Sequence, residues 1–237
     1  MKYIIGLTGN IATGKSAVSG MLDCLGAKAI DADVLVHELM EKGTPVWQAV
    51  VQEFGQGILG RERNIDRKKL GSIVFADEAA LHCLEVLVHP AVIARTEELI
   101  ESSQEPVVVV EAIKLIEAGM DRDCDALWVV TCRKEQQLAR LMEQRGLTEE
   151  EARQRIEAQP PQEAKLALAD VVIDNSRSLD ETWRQVKRER DRIVSSNEGM
   201  SNEVTSQRGN EVTCNFNVLL IDSLPLERTE NQQGGGF

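Results

Sequence analysis

Residues Gly9 to Ser16 read GNIATGKS and fit the spacing G-x-x-x-x-G-K-[ST]. Each position in that spacing has a chemical reason. Glycines let the backbone curl until successive N–H groups face one set of anionic oxygens. A helix opening at the lysine adds the positive end of its dipole. Lys15 reaches terminal phosphates as a point charge, and the Ser16 hydroxyl is a hard oxygen ligand suited to Mg²⁺. The chemistry is that of a nucleoside triphosphate held by its phosphates. A mere glycine-rich turn with an exposed lysine would not explain the flanks. Tyr3 to Thr8 is an apolar run suited to a buried strand, and Val18, Met21, Leu22 and Leu25 follow at helical spacing.

A second chemical feature lies 15 to 17 residues beyond the lysine–serine pair. Asp31 and Asp33 flank Ala32 at the end of a short strand, Lys28 to Asp31. In a doubly wound sheet, ligands sit outside the carboxyl ends of the strands, which puts both acids near the mouth of the phosphate loop. A carboxylate there can accept the proton of an acceptor hydroxyl or bind Mg²⁺ through water; alternatively, it caps the following helix. Competing motifs fail. There is no G-x-G-x-x-G in the first turn and no guanine-reading N-K-x-D, and Asp23 to Gly26 spells D-x-x-G only where Gly26 closes a helix. His37-Glu38 does not continue to a zinc-protease H-E-x-x-H, and His89 before Pro90 suits a structural hydrogen bonder where a helix restarts.

Further strands are expected at Val107 to Val110, Ala126 to Thr131 and Ala169 to Ile173. The run of four valines is the pattern of a parallel strand covered on both faces. Helices fill the intervals, with Asp66 and Asp77 as N-caps and Thr148/Glu151 and Ser178/Glu181 as capping boxes. Five strands alternating with helices imply an α/β fold with a five-stranded, mostly parallel sheet. The alternation breaks at about 37–103, a helical insertion, and again at about 134–160, a small Arg/Glu-rich lid. In the lid, Arg140 and Arg145 are placed to close over a triphosphate, or else to lie on a solvated helix face. Arg155 and Lys165 read as surface residues, and Trp47, Trp128 and Trp183 as core.

The 237 residues carry 27 Lys and Arg against 39 Asp and Glu, a net charge of −12. That balance argues against nucleic-acid binding, which needs a basic face, and aromatics at 3% leave few stacking platforms. No apolar run reaches the length of a bilayer span. The five cysteines are widely spaced with no C-x-x-C, which points to neither zinc nor a disulfide framework but to reduced thiols in the cytoplasm. Residues 1–194 form the expected domain. Residues 195–237, with two basic and six acidic residues and a Gly-Gly-Gly-Phe end, read as a polar disordered tail in which only Asn217 to Asp222 has strand character.

Taken together, GLTGNIATGKS, IDADVLVHEL, Leu87-Val88-His89-Pro90, RIEAQ at Arg155 to Gln159 and ADVVIDN at Ala169 to Asn175 resemble the dephospho-coenzyme A kinase family, in order and over about residues 1–194. The resemblance implies a P-loop kinase of nucleoside-monophosphate-kinase type, with a helical substrate domain and a lid. It implies transfer of the ATP γ-phosphoryl group to the ribose 3′-hydroxyl of dephospho-coenzyme A, the last step of coenzyme A synthesis, with Mg²⁺ as metal and no nucleic-acid or membrane partner. By motif position, Asp33 corresponds to the family's catalytic base. Gly9, Asn10, Ile11, Ala12, Thr13, Gly14, Lys15, Ser16 and Ala17 correspond to its ATP loop. Lys15 and Arg140 are the expected charge-stabilising side chains, and Ser16 is the metal ligand. The exit of the third strand departs from the pattern, reading Glu111-Ala112-Ile113-Lys114-Leu115 where many members have a proline followed by two leucines. The tail has no counterpart. Two other readings stay open: another small-molecule kinase on the same scaffold, and a non-catalytic nucleotide-dependent interaction module.

Overall fold

In the computed structural model, which describes residues 2–198, the four valines lie where their pattern requires, every one buried between two layers of helix. The strands are β1 (Tyr3–Thr8), β2 (Lys28–Asp31), β3 (Val107–Glu111), β4 (Ala126–Thr131) and β5 (Val171–Asp174). They form one parallel sheet in the order β2-β3-β1-β4-β5. Side chains alternate across it. Val107 and Val109 face a layer with Ile5, Leu7, Trp128 and Ile173, covered by α1 (Lys15–Cys24) and α9 (Leu179–Glu198). Val110, Leu127 and Val129 face the opposite layer.

That second layer comes from four helices between β2 and β3: α2 (Ala32–Leu39), α3 (Pro45–Phe54), α4 (Arg67–Val74) and α5 (Glu78–Ser102). The insertion therefore opens at Ala32, directly on the strand, and its first helix carries Asp33. Asp66 and Asp77 cap α4 and α5 as expected, accepting from Lys68 N and Ala79 N. The expected restart at Pro90 does not occur, and α5 runs unbroken through it. Pro90 lies on the exposed side, where one missing helix hydrogen bond is offset by burial of Val88 and Val92 on the other face.

The remaining elements are α6 (Lys134–Arg145), α7 (Glu149–Glu157) and α8 (Gln162–Leu166). Thr148 and Glu151 form the full capping box of α7, and Ser178 and Glu181 exchange the corresponding bonds before α9. Trp128 is fully buried and Trp183 is half-buried against the core, whereas Trp47, read as core, is half-buried and donates Nε1 to Arg63 O at 3.2 Å. The closing helix continues to Glu198, beyond Val194; the expected tail strand at Asn217 to Asp222 lies outside the described residues.

Candidate active site

The phosphate loop is held from behind by its carbonyls. Arg140 Nη1 donates to Ala12 O at 3.1 Å and to Thr13 O at 2.9 Å, and its Nη2 donates to Asn175 O at 3.1 Å. Asn175, buried at the end of β5, donates Nδ2 to Thr13 O at 2.9 Å and accepts from Thr182 Oγ1 at 3.0 Å. A trans peptide points its N–H opposite its C=O. Tying back the Thr13 carbonyl therefore turns the N–H of Gly14 toward the mouth, beside the unsatisfied N–H groups of the first turn of α1. Gly14 has φ +93°, and a Cβ there would lie 2.1 Å from Asn175 Nδ2, so no other residue fits. Ala12 is left-handed as well, at φ 57°. On the outer side, Gln159 Oε1 accepts from Ile11 N at 2.7 Å and Pro160 O accepts from Asn10 Nδ2 at 3.1 Å.

Parallel register gathers the acids. Asp31 pairs with Glu111 across β2 and β3, and Leu7 pairs with Glu111 across β1 and β3. Ser16 Oγ donates to Glu111 Oε1 at 2.9 Å. Burial pushes the Glu111 carboxyl above its ordinary range, against the pull of Lys15 and of the Ser16 and Ser19 hydroxyls. Burial likewise lowers Lys15, opposed by Glu111, Asp33 and Asp31. Desolvation thus presses both groups toward neutrality.

The two aspartates divide the roles left open above. Asp31 is the N-cap of α2, its Oδ1 accepting from Val34 N at 3.1 Å, and burial raises its pKa. Asp33 caps nothing. It is half-buried, and its Oδ2 accepts from Ile113 N at 3.3 Å. Ile113 belongs to the departing segment after β3, and a proline at that position would have no N–H to give. Lys114 in the same segment forms an ion pair with Glu85 of α5 at 2.9 Å, which ties the strand exit to the insertion.

One helical turn beyond Asp33, His37 faces an open cleft of about 370 Å³ lined also by Met40, Glu41, Lys42, Asn64, Ile65 and Arg67. Arg67 Nη1 lies 3.2 Å from His37 Nε2. Arginine only donates, so Nε2 is the acceptor and the imidazole is neutral. Burial first, then the Arg67 guanidinium, holds its pKa below the usual histidine value.

The structure brings together Gly9 to Ala17, Asp33 and Glu111, and revises other readings. Arg140 does not reach across the mouth; its guanidinium is occupied by the carbonyls of Ala12, Thr13 and Asn175. Lys165, read as surface, is 4% exposed, with Nζ 2.5 Å from Ile113 O and 3.2 Å from Glu117 Oε1. Arg145 and Arg155 are exposed and His89 is half-buried. Asn175, Gln159 and Lys165 were missed as individual site residues. The first two lie inside quoted motifs, but their partners are in distant segments and no local spacing reveals them.

Comparison with known proteins identifies the family. The sequence model of the dephospho-CoA kinase family matches residues 3–181. A dephospho-CoA kinase of Symbiobacterium thermophilum is 48% identical over 187 residues, covering 78% of each chain. One of Aquifex aeolicus is 45% identical, covering 78% of this chain and 94% of its own. Among solved structures, the dephospho-CoA kinase of Campylobacter jejuni superposes with a TM-score of 0.61 at 29% identity, over 83% of this chain and all of that one. A Thermus thermophilus protein reaches 0.70 at 30% identity, over 82% and 97%. The family match over residues 3–181 and these relatives at 45–48% identity show that this chain belongs to the dephospho-CoA kinase family.

Proposed function

We propose that this chain transfers the γ-phosphoryl group of ATP to the ribose 3′-hydroxyl of dephospho-coenzyme A, with Asp33 as the base. The observation that carries the assignment of roles is the division between Asp31 and Asp33. One carboxylate is spent on a helix cap, and the other stands uncapped between the phosphate loop and the cleft. Asp33 orients the acceptor hydroxyl and takes its proton as the oxygen attacks phosphorus. Lys15 and the loop N–H groups bind the β- and γ-phosphates and offset charge that develops during transfer. Arg140 and Asn175 act from behind by fixing the loop.

The donor set at Ser16 suits Mg²⁺: a hydroxyl beside a buried carboxylate supplies hard oxygens. Among the described residues no three His, Cys, Asp or Glu side chains form a metal cage, which agrees with a cation held largely by substrate phosphates. Mg²⁺ bound there would neutralise phosphate charge. Ser16 and Glu111 are the residues that would hold it. The cleft beyond Asp33, with Lys42 and Arg67, takes the anionic part of the acceptor.

An ADP-release assay across acceptors tests the reading. Turnover should depend on dephospho-coenzyme A and persist with no shikimate, gluconate or nucleoside monophosphate in its place. Equal turnover with one of those acceptors would make the chain a kinase of different specificity, and nucleotide binding without turnover would make it an interaction module.

A further inference from the structure

Three charged side chains are buried among the described residues: Lys15, Glu111 and Lys165. The first two belong to the phosphate site. The third has no task in the reaction as proposed, and a buried ammonium is costly unless its partners are specific.

Its partners are specific. Lys165 Nζ donates to Ile113 O at 2.5 Å, meets Glu117 Oε1 at 3.2 Å and lies 3.5 Å from Thr8 Oγ1. Thr8 Oγ1 itself donates to Ile113 O at 3.2 Å. The same residue, Ile113, donates its N–H to Asp33 Oδ2. Ile113 is thus gripped at its carbonyl by Lys165 and Thr8 and grips the base with its amide. The segment that delivers Lys165 also touches the nucleotide loop, through Gln159 to Ile11 N and Pro160 to Asn10. Residues 159–165 therefore strap the ATP side to the acceptor side.

We infer that Lys165 is a positioning residue for Asp33, holding the base through Ile113. The inference rests on the reading of Asp33 as base. Without the ammonium, the strand exit loses its principal clamp and the Asp33 carboxylate loses its fixed direction toward the acceptor hydroxyl. ATP binding, which uses other atoms, is spared.

A double-mutant cycle on the full chain tests it, with turnover, the KM for each substrate and the melting temperature measured in wild type, K165M, D33N and K165M/D33N. Lys165→Met should lower kcat roughly tenfold with the ATP KM within about twofold, and should cost less than about twofold once Asp33 is already Asn. Lys165→Arg, which keeps a charged donor, should recover most of the loss. Thr8→Val, nearly isosteric, removes only the second donor to Ile113. It should repeat the pattern at about two- to threefold in kcat, and it decides the question if K165M does not fold. Equal losses from K165M (or T8V) in both backgrounds, or a loss carried by the ATP KM, would overturn the inference while leaving Asp33 as base. Full turnover by D33N alone would instead remove the reading on which it rests.

Discussion

The two halves of the site are built by opposite means. On the nucleotide side the loop presents backbone N–H groups beside Lys15 and Ser16, and the other side chains around them face backward. Arg140, Asn175 and Thr13 spend their hydrogen bonds on loop carbonyls and buried neighbours. On the proposed acceptor side an open cleft beyond Asp33 is lined by side chains, among them His37, Lys42 and Arg67. A phosphate cradle made of backbone must be shaped before the ligand arrives, since its geometry is the fold itself. A cleft lined by long cationic side chains can close around its ligand. In a chain of net charge −12 that binds two polyanions, both devices place positive charge locally, against the global field.

If the halves meet at Asp33, Asp33→Asn should give the largest effect. It keeps size and hydrogen bonding but cannot take a proton, so kcat should fall about 10²–10⁴-fold with the ATP KM little changed. Lys15→Ala comes next. It removes a buried charge from the cradle and should lower turnover by about 10²–10³-fold, with a weaker ATP complex by calorimetry. A drop confined to the acceptor KM would break the division between the halves.

Arg67→Ala tests the other side. It should raise the KM for dephospho-coenzyme A by about tenfold and leave the ATP KM in place, one charged hydrogen-bonding contact being worth about 1.5–3 kcal/mol. Asn175→Ala should instead appear in the fold. Removing one of the two donors to the Thr13 carbonyl and the Asn175 acceptor of the Thr182 hydroxyl should cost about 1–2 kcal/mol, read as a melting temperature a few degrees lower. A cradle made beforehand must melt when its anchor goes, whereas the Arg67 variant should melt near wild type.

The smallest effect concerns Glu111 without ligand. Its folded pKa is raised, so its protonated form is the one the fold favours. That contribution is full below the ordinary carboxylate pKa and is lost as pH rises through the higher folded value. Glu111→Gln, which stays neutral, should therefore gain melting temperature relative to wild type as pH climbs from about 4 toward 7. A difference that does not change with pH would show that Glu111 is not desolvated in the free protein.

The same division explains what the sequence could reveal. The strands were legible because four valines, or Tyr3 to Leu7, are apolar whichever way they face. The loop was legible because its glycines, Lys15 and Ser16 each have a chemical reason in holding a triphosphate and its metal. The roles of Arg140 and Lys165 were not. Both follow stretches rich in Glu and Gln, a pattern that ordinarily means solvent. Their placement is decided by carbonyls more than 50 positions away, at Ile113 and Thr13. Pro90 misled for a related reason: the packing of Val88 and Val92 decides the helix, and packing is a property of the partner surface.

The anchoring of the cradle also sets an order of events during synthesis. Asn175 follows the carbonyl it holds by 162 positions, and β1 cannot pair on both sides until β3 and β4 exist. At about 5–20 residues per second, a ribosome needs on the order of 10–30 s between making the loop and making its anchor. Throughout that interval the nascent chain carries the whole G-x-x-x-x-G-K-S segment without the Asn175 anchor, and for its earlier part β1 also lacks the long-range contacts that slow parallel sheets depend on. Nucleotide can therefore speed or steady folding only at its last stage, and a chaperone that shields this nascent chain has the apolar run Tyr3 to Leu7 to cover for longest.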